Sequence, residues 1–213
     1  MAKIKVTKNG PYLVSGSLPI NEEKIEYDDF GVPRKTVVTK KYPQSESAAL
    51  CRCGHSQNKP FCDGTHAKIN FDGMETADVD EKYENEAEII NGPDLDLKDV
   101  PHLCAGLGFC HRGEGTWTST ENSDDPESKK VAVESACACA AGRLTAVDKK
   151  TGKNIEPKLK PSIGVLENGP LLVKGGIPVE SAGGKTYEVR NRCTLCRCGE
   201  SENKPFCDGS HQY

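Results

Sequence analysis

The sequence predicts an α+β fold: two small β-rich modules, one towards each end of the chain, with a further small unit between them. Three observations predict it. A sixteen-residue stretch, CRCGHSQNKPFCDGTH at residues 51–66, returns almost unchanged as CRCGESENKPFCDGSH at residues 196–211. A strand-like segment, NGPYLVSGSLPI at residues 9–20, precedes the first copy and matches NGPLLVKGGIPV at residues 168–179 ahead of the second. Between them lies a stretch with four cysteines of its own and the one strongly signalled helix.

Taken in order, each module begins with a turn followed by a short strand, since Leu13 and Val14, or Leu172 and Val173, stand between Gly and Pro punctuation. The first module carries extra charged sequence at residues 22–41. There Val37, Val38 and Tyr42 suit an added hairpin arm turning near Asp28, Asp29 and Gly31, with a solvated loop as the alternative; neither carries chemistry. After His66 the polar run GMETADVDEKYENEAEI reads as a linker or an irregular strand edge. A third NGP, in IINGPDLDLKDV at residues 89–100, opens the central unit, which ends near GKNIEP at residues 152–157. Within it Asp125 is a helix N-cap and Pro126 takes the first helical position, so a helix runs from 126 to about 136. The domains are expected at 1–72, 73–158 and 159–213.

Composition narrows the function. With 213 residues, 35% of them hydrophobic and only 6% aromatic, the chain has a thin apolar core. Bound metal is therefore expected to supply part of the folding energy, and the metal-free protein to be poorly folded. The N-terminus, MAKIKVTKNG, lacks the apolar stretch of an export signal. Eleven cysteines then read as ligands in a cytoplasmic protein rather than as a disulfide framework. No stretch has the length of a membrane span. A net charge of −4 gives no electrostatic case for nucleic acid. No Gly-rich nucleotide loop or nucleophile–base pair supports catalysis.

The repeated stretch carries the chemistry. Each copy sets three thiols and one imidazole at the same intervals: Cys51, Cys53, Cys62 and His66, then Cys196, Cys198, Cys207 and His211. Cys-x-Cys brings two thiolates onto one turn, while Pro60, Phe61 and Gly64 let a second turn return the third thiolate and the imidazole. Soft sulfur donors select zinc, copper(I) or an iron-sulfur cluster, and three Cys with one His is also a recognised structural zinc set. Spacing alone leaves zinc and cluster both open.

The residues between the donors go further. C-x-C, then Ser56 or Ser201, then N-K-P-F-C-D-G-T/S-H resembles the CDGSH iron-sulfur (mitoNEET-like) family, in the tandem form found in bacteria. The resemblance implies a 2Fe-2S cluster in each copy. Cys51 and Cys53, or Cys196 and Cys198, would hold the inner iron; Cys62 and His66, or Cys207 and His211, the outer one. It also implies that the modules pack as an intrachain pseudo-dimer with the central unit inserted between its halves, in a chain that is a monomer.

In that unit CAGLGFC, a helix and CACAAGRL resemble the divergent single-cluster ferredoxin domains found beside CDGSH motifs, whose last ligand lies in a CP-S/A-G-R-L string. Cys139 occupies that place, with Ala140 where the family has Pro. A 4Fe-4S ferredoxin uses C-x2-C-x2-C and a remote Cys. Here Cys104 and Cys110 have the outer spacing, but Leu107 falls in the middle place and cannot ligate iron. Cys104, Cys110 and Cys139 thus suit a 3Fe-4S cluster in preference to 4Fe-4S, and Cys137 is expected to face away.

Other residues are expected to be structural. Asp63 and Asp208 read as turn caps, Cys193 as a buried free thiol and His55 as surface; Lys59 and Lys204 either offset cluster charge or are simply solvated. His102 and His111 are weaker ligand candidates. The resulting expectation is an electron carrier or cluster donor acting with an unidentified redox or cluster-acceptor protein, with a zinc-stapled binding module as the alternative. Neutral imidazole in place of one thiolate should raise the potential above the roughly −400 mV of plant-type clusters. A His with an ordinary pKa of about 6.5 should also make the centre sensitive to mild acid.

Overall fold

The structure, a computed structural model, describes residues 2–212. Strands β1 (Lys3–Val6), β2 (Tyr12–Ser15), β3 (Ile20–Tyr27), β4 (Pro33–Lys41) and β5 (Ser47–Leu50) lead into the first motif, which ends in the single-turn helix α1 (Thr65–Lys68). The middle of the chain forms α2 (Tyr83–Glu86), β6 (Glu88–Asn91), β7 (Leu95–Asp99), α3 (Thr116–Glu121), α4 (Pro126–Ala138), β8 (Leu144–Asp148) and β9 (Lys153–Ile155). Strands β10 (Ser162–Leu166), β11 (Leu171–Lys174), β12 (Val179–Glu180) and β13 (Arg192–Leu195) lead into the second motif.

The two terminal regions exchange strands. One sheet runs β12-β1-β2-β5 and the other β13-β11-β10-β3-β4, so each contains a strand from the opposite end of the chain. β3 lies parallel to β10, with Ile20 opposite Ile163, and β12 lies parallel to β1, with Val179 opposite Ile4. Proline sets both exchanges. Pro19 and Pro178 stand just before the exchanged strands, and having no N–H they make only their carbonyls available. Those carbonyls accept from Ile163 N and Ile4 N, each at 2.9 Å.

The exchange gives both sheets one core. Ile4, Val6, Tyr12 and Leu50 from the first pack in the same cluster as Ile163, Leu171 and Leu195 from the second, all fully buried. Each such side chain contributes about 1.5–3 kcal/mol. A chain poor in apolar residues thus concentrates them in one place, and neither sheet would keep its core alone.

The hairpin arm forms as a β3–β4 ribbon on the edge of the second sheet rather than as a solvated loop. The Asp28 carboxylate shapes its turn by accepting from Phe30 N and Val32 N at 3.0 and 2.9 Å. The arm touches the middle unit, where Arg112 donates through Nε to the Pro33 carbonyl at 3.1 Å and through Nη2 to that of Arg34.

The middle unit is an antiparallel meander, β6-β7-β8-β9, with α3 and α4 inserted between β7 and β8. α4 begins as the sequence predicts: Asp125 caps Ser128 N at 2.8 Å and Pro126 occupies the first turn. Its Ala136 packs on Leu97, Leu144 and Ala146. Arg192, 3% exposed, joins this unit to β13 by donating to the carbonyls of Ala136 and Leu144 at 3.0 and 2.9 Å. The polar run after His66 is irregular as far as α2 but not free. Thr76 N and Ala77 N donate to the Lys204 carbonyl at 2.8 and 2.9 Å, and Glu75 accepts from the Tyr187 hydroxyl at 2.9 Å. Among the described residues no helix is long and apolar enough to cross a membrane.

Candidate metal centres

In each motif the strand end and the returning loop face one another. Leu50 bridges Phe61 and Leu195 bridges Phe206. Cys51 N donates to the Pro60 carbonyl and Cys62 N to that of Ala49, both at 2.8 Å; Cys196 and Cys207 repeat the pattern with Pro205 and Thr194 at 2.8 and 2.9 Å. The loop between is held by its serine. Ser56 Oγ donates to the Phe61 carbonyl at 2.6 Å and accepts from Asn58 N at 3.0 Å, and Ser201 does the same with Phe206 and Asn203 at 2.7 and 3.1 Å. Asp63 and Asp208 cap the turn beside the third cysteine. Asp63 accepts from Gln57 N and Thr65 N at 2.8 and 3.0 Å, which holds its carboxyl well below the usual range; Asp208 accepts from Glu202 N and Ser210 N at the same distances. Burial works against the Asp208 charge, but these bonds still leave its pKa lowered.

This framework sets the donors in pairs. Cys51 Sγ and Cys53 Sγ are 3.8 Å apart, and Cys62 Sγ and His66 Nδ1 are 3.3 Å apart. The second motif gives 3.6 Å for Cys196 and Cys198 and 3.4 Å for Cys207 and His211. Among the described residues no group of three or more His, Cys, Asp or Glu side chains is gathered to hold a single metal ion. Backbone N–H groups also reach the sulfurs: Gly64 N donates to Cys62 at 3.4 Å, Gly199 N to Cys196 at 3.3 Å and Glu200 N to Cys198 at 3.4 Å. The Cys198 thiol and the backbone N–H groups of Ser201, Gly199 and Cys198 bring the Cys196 pKa down despite burial, which favours a thiolate there. Burial, with Arg197 nearby, lowers that of His211 and keeps its imidazole neutral, as a metal ligand must be.

The motifs stand back to back. A Cβ on Gly54, which has φ +76°, would lie 2.5 Å from the Cys198 carbonyl oxygen, and one on Gly199 would lie 3.3 Å from that of Cys53. Only glycine permits both the left-handed turn and this approach.

In the middle unit Cys104, Cys110 and Cys139 border one small cavity together with Leu107 and Arg143. Burial, then the neighbouring Cys139 and Cys104, push the Cys110 thiol up to about 11. Cys137 borders a different cavity and points its sulfur at the Ile155 carbonyl, 3.6 Å away. Burial pushes the Cys193 thiol up to about 11, against the opposing charge of Arg190. His55 is exposed, His111 is exposed, and His102 pairs with Glu86 at 3.5 Å. Lys59 is exposed, whereas Lys204 is half-buried and donates to the Ser201 carbonyl at 2.6 Å.

Three supporting groups escape a reading for ligands. The arginine inside each C-x-C ties the motif to its module. Arg52, 2% exposed, donates to the carbonyls of Gly10, Gly73 and Thr7 at 2.8, 2.7 and 2.8 Å; Arg197 donates to those of Gly169 and Leu166 at 2.9 and 2.6 Å. Their repetition in both copies was a visible signal. Tyr12 crosses between modules, its hydroxyl 2.8 Å from the Cys196 carbonyl and 3.0 Å from that of Pro205. Arg143 forms a two-pronged ion pair with buried Asp99 at 2.6 and 2.8 Å, and Asp99 also accepts from Trp117 Nε1 at 2.9 Å. No local pattern signals these last two.

No curated protein matches the chain. The family described as iron-binding zinc finger, CDGSH type, matches residues 9–67 and 168–212. Each matched segment ends on the donor pairs just described, and the middle unit lies between them. This chain therefore carries two CDGSH-type iron-binding domains in tandem.

Proposed function

We propose that the chain is an electron carrier or cluster donor holding a 2Fe-2S cluster in each motif. The observation that carries this is the pairing of the donors. A single tetrahedral zinc would draw all four donors together; here they stand as two pairs, at 3.8 and 3.3 Å and then 3.6 and 3.4 Å, with no three gathered among the described residues, which suits two irons with two donors each. When bound, such a cluster supplies one-electron chemistry. The chain's own residues set its terms. Neutral His66 and His211 leave less negative charge than a fourth thiolate, and N–H donation to the sulfurs from Gly64, Gly199 and Glu200 works in the same direction.

The exchanged strands and common core support reading the terminal regions as an intrachain pseudo-dimer with a ferredoxin-like insert. Cys104, Cys110 and Cys139 share a cavity from which Cys137 is turned away, which supports a third centre of the 3Fe-4S type. The proposed setting is the cytoplasm, with the chain acting as a monomer on an unidentified redox or acceptor protein.

Iron and sulfide analysis with EPR on anaerobically purified protein tests the reading. A red-brown protein with iron and acid-labile sulfide is expected. An oxidised signal near g of about 2, lost in Cys110→Ala and kept in Cys137→Ala, is required of a three-thiolate centre. A colourless, zinc-rich preparation would overturn the redox assignment.

A further inference from the structure

The two motifs have the same donors and different surroundings. Around the first, His55, Gln57, Asn58, Lys59 and Asp63 are exposed; of their counterparts only Glu200 and Glu202 are, while Asn203, Lys204 and Asp208 are half-buried. The outer pair differs most. Cys62 is partly exposed and Cys207 is 2% exposed. The cause is the middle unit. A Cβ on Gly64 would meet open space, but one on Gly209 would lie 3.3 Å from the Cys104 carbonyl oxygen. Cys207 packs with Ala105 and Ala141, and Gln212 Nε2 donates to the Gly106 carbonyl at 2.6 Å. On its other side the second loop is bound by Thr76 and Ala77 through the Lys204 carbonyl. The inner pair runs the other way, with Cys198 more open than Cys53, and His66 and His211 are both half-buried, so the asymmetry belongs to the outer thiols.

We propose that residues 104–106 are a cover on the Cys207–His211 pair, so that the second motif retains its metal and the first, through Cys62 and His66, exchanges it. This rests on the metal-binding reading above. Exchange would be ligand substitution: thiolates of an acceptor protein would replace first Cys62 and His66 and then Cys51 and Cys53, the cysteines leaving as thiolates and the imidazole neutral, with no change of oxidation state. At the second motif the same substitution first requires the Gln212–Gly106 bond and the Cys207 packing to open, a local unfolding step that the first motif does not need.

The test uses the full-length protein as purified, incubated at pH 8 with excess EDTA and iodoacetamide, with the labelled peptides measured by mass spectrometry over time. Cys62 should be alkylated about tenfold faster than Cys207, given the contacts that must open at the latter. Equal rates, or Cys207 first, would overturn the proposal. Gln212→Ala, a change at an exposed side chain, should speed Cys207 labelling about fivefold and leave Cys62 unchanged; an unmoved Cys207 would remove the cover from the explanation. Iron, sulfide and zinc are assayed on the same sample. A preparation without iron and sulfide counts against the cluster reading alone, because the labelling order is read whatever metal the motifs hold.

Discussion

Cys62 and Cys207 stand at the same place in the repeat, make the same backbone hydrogen bond to the strand before them and lie at nearly the same distance from their histidines. One is partly exposed and the other buried. The local sequence therefore specifies the donor pair, whereas what reaches the pair from solvent is decided by elements far away in the chain. The arginines of the two C-x-C strings say the same: Arg52 has three carbonyl partners, one of them the Gly73 carbonyl beyond the motif, and Arg197 has two.

The comparison breaks most completely if the motifs are not independent centres. Cys51→Ser should abolish iron binding by the first motif and spare the second, and Cys196→Ser the reverse, each removing about two irons per chain. Iron and sulfide analysis of the two variants reads this directly. Loss from both motifs in either variant would mean that the back-to-back contact at Gly54 and Gly199 couples their loading.

A smaller effect is expected at the arginines. Charged hydrogen bonds are worth about 1.5–3 kcal/mol each, less what water recovers in the truncated variant, so Arg52→Ala should cost about 4 kcal/mol and Arg197→Ala about 2 kcal/mol. Urea denaturation of the metal-loaded protein measures both. Equal losses would show that the third bond of Arg52, to Gly73, adds nothing.

How much of this was legible in the sequence follows from the same distinction. The donors, their spacing, the serine and aspartate of each loop and the helix opening at Asp125 are local, and local chemistry shows in a local string. The hairpin arm was visible in Val37, Val38 and Tyr42 with Asp28, Asp29 and Gly31 near the turn, but its alternative as a loop fell only when β3 was seen beside β10. The exchange of β3 and β12 depends on which strand edge lies free after folding, and Pro19 and Pro178 give no hint of a parallel partner more than a hundred residues away. The cover on Cys207 was invisible for the same reason: Ala105 and Gly106 are unremarkable until Gly209 is placed against them.

The histidines sharpen the comparison with respect to pH. Burial and Arg197 depress the pKa of His211, so the unfolded chain takes up a proton that the folded chain refuses. The stability tied to a neutral His211 is complete above an unfolded pKa of about 6.5 and is lost as pH falls through the lower folded value. His211→Cys should remove that slope and, with His66→Cys, slow the loss of visible absorbance in mild acid and lower the reduction potential. Stopped-flow bleaching between pH 5 and 7 checks it, and an unchanged rate in the double variant would rule out the imidazoles as the acid-sensitive ligands.

The smallest effect is expected at Tyr12, whose counterpart in the second copy is Leu171, so that only the first copy carries a hydroxyl at this place. That hydroxyl is fully buried and lies 2.8 Å from the Cys196 carbonyl and 3.0 Å from that of Pro205. Burial, reinforced by Cys196, raises its pKa well above the ordinary value, so it remains a donor at any pH the protein meets. Tyr12→Phe keeps the ring in the shared core and removes only the donor. The Pro205 carbonyl still accepts from Cys196 N at 2.8 Å, so one carbonyl, that of Cys196, is left without this partner. One neutral hydrogen bond is worth about 1 kcal/mol, and a loss of that size should appear as a lower urea midpoint with an unchanged slope. The iron content should stay the same, because no donor moves. If the midpoint does not shift, the hydroxyl does not help hold the second motif against the first module, and the exchanged strands and common core alone join them.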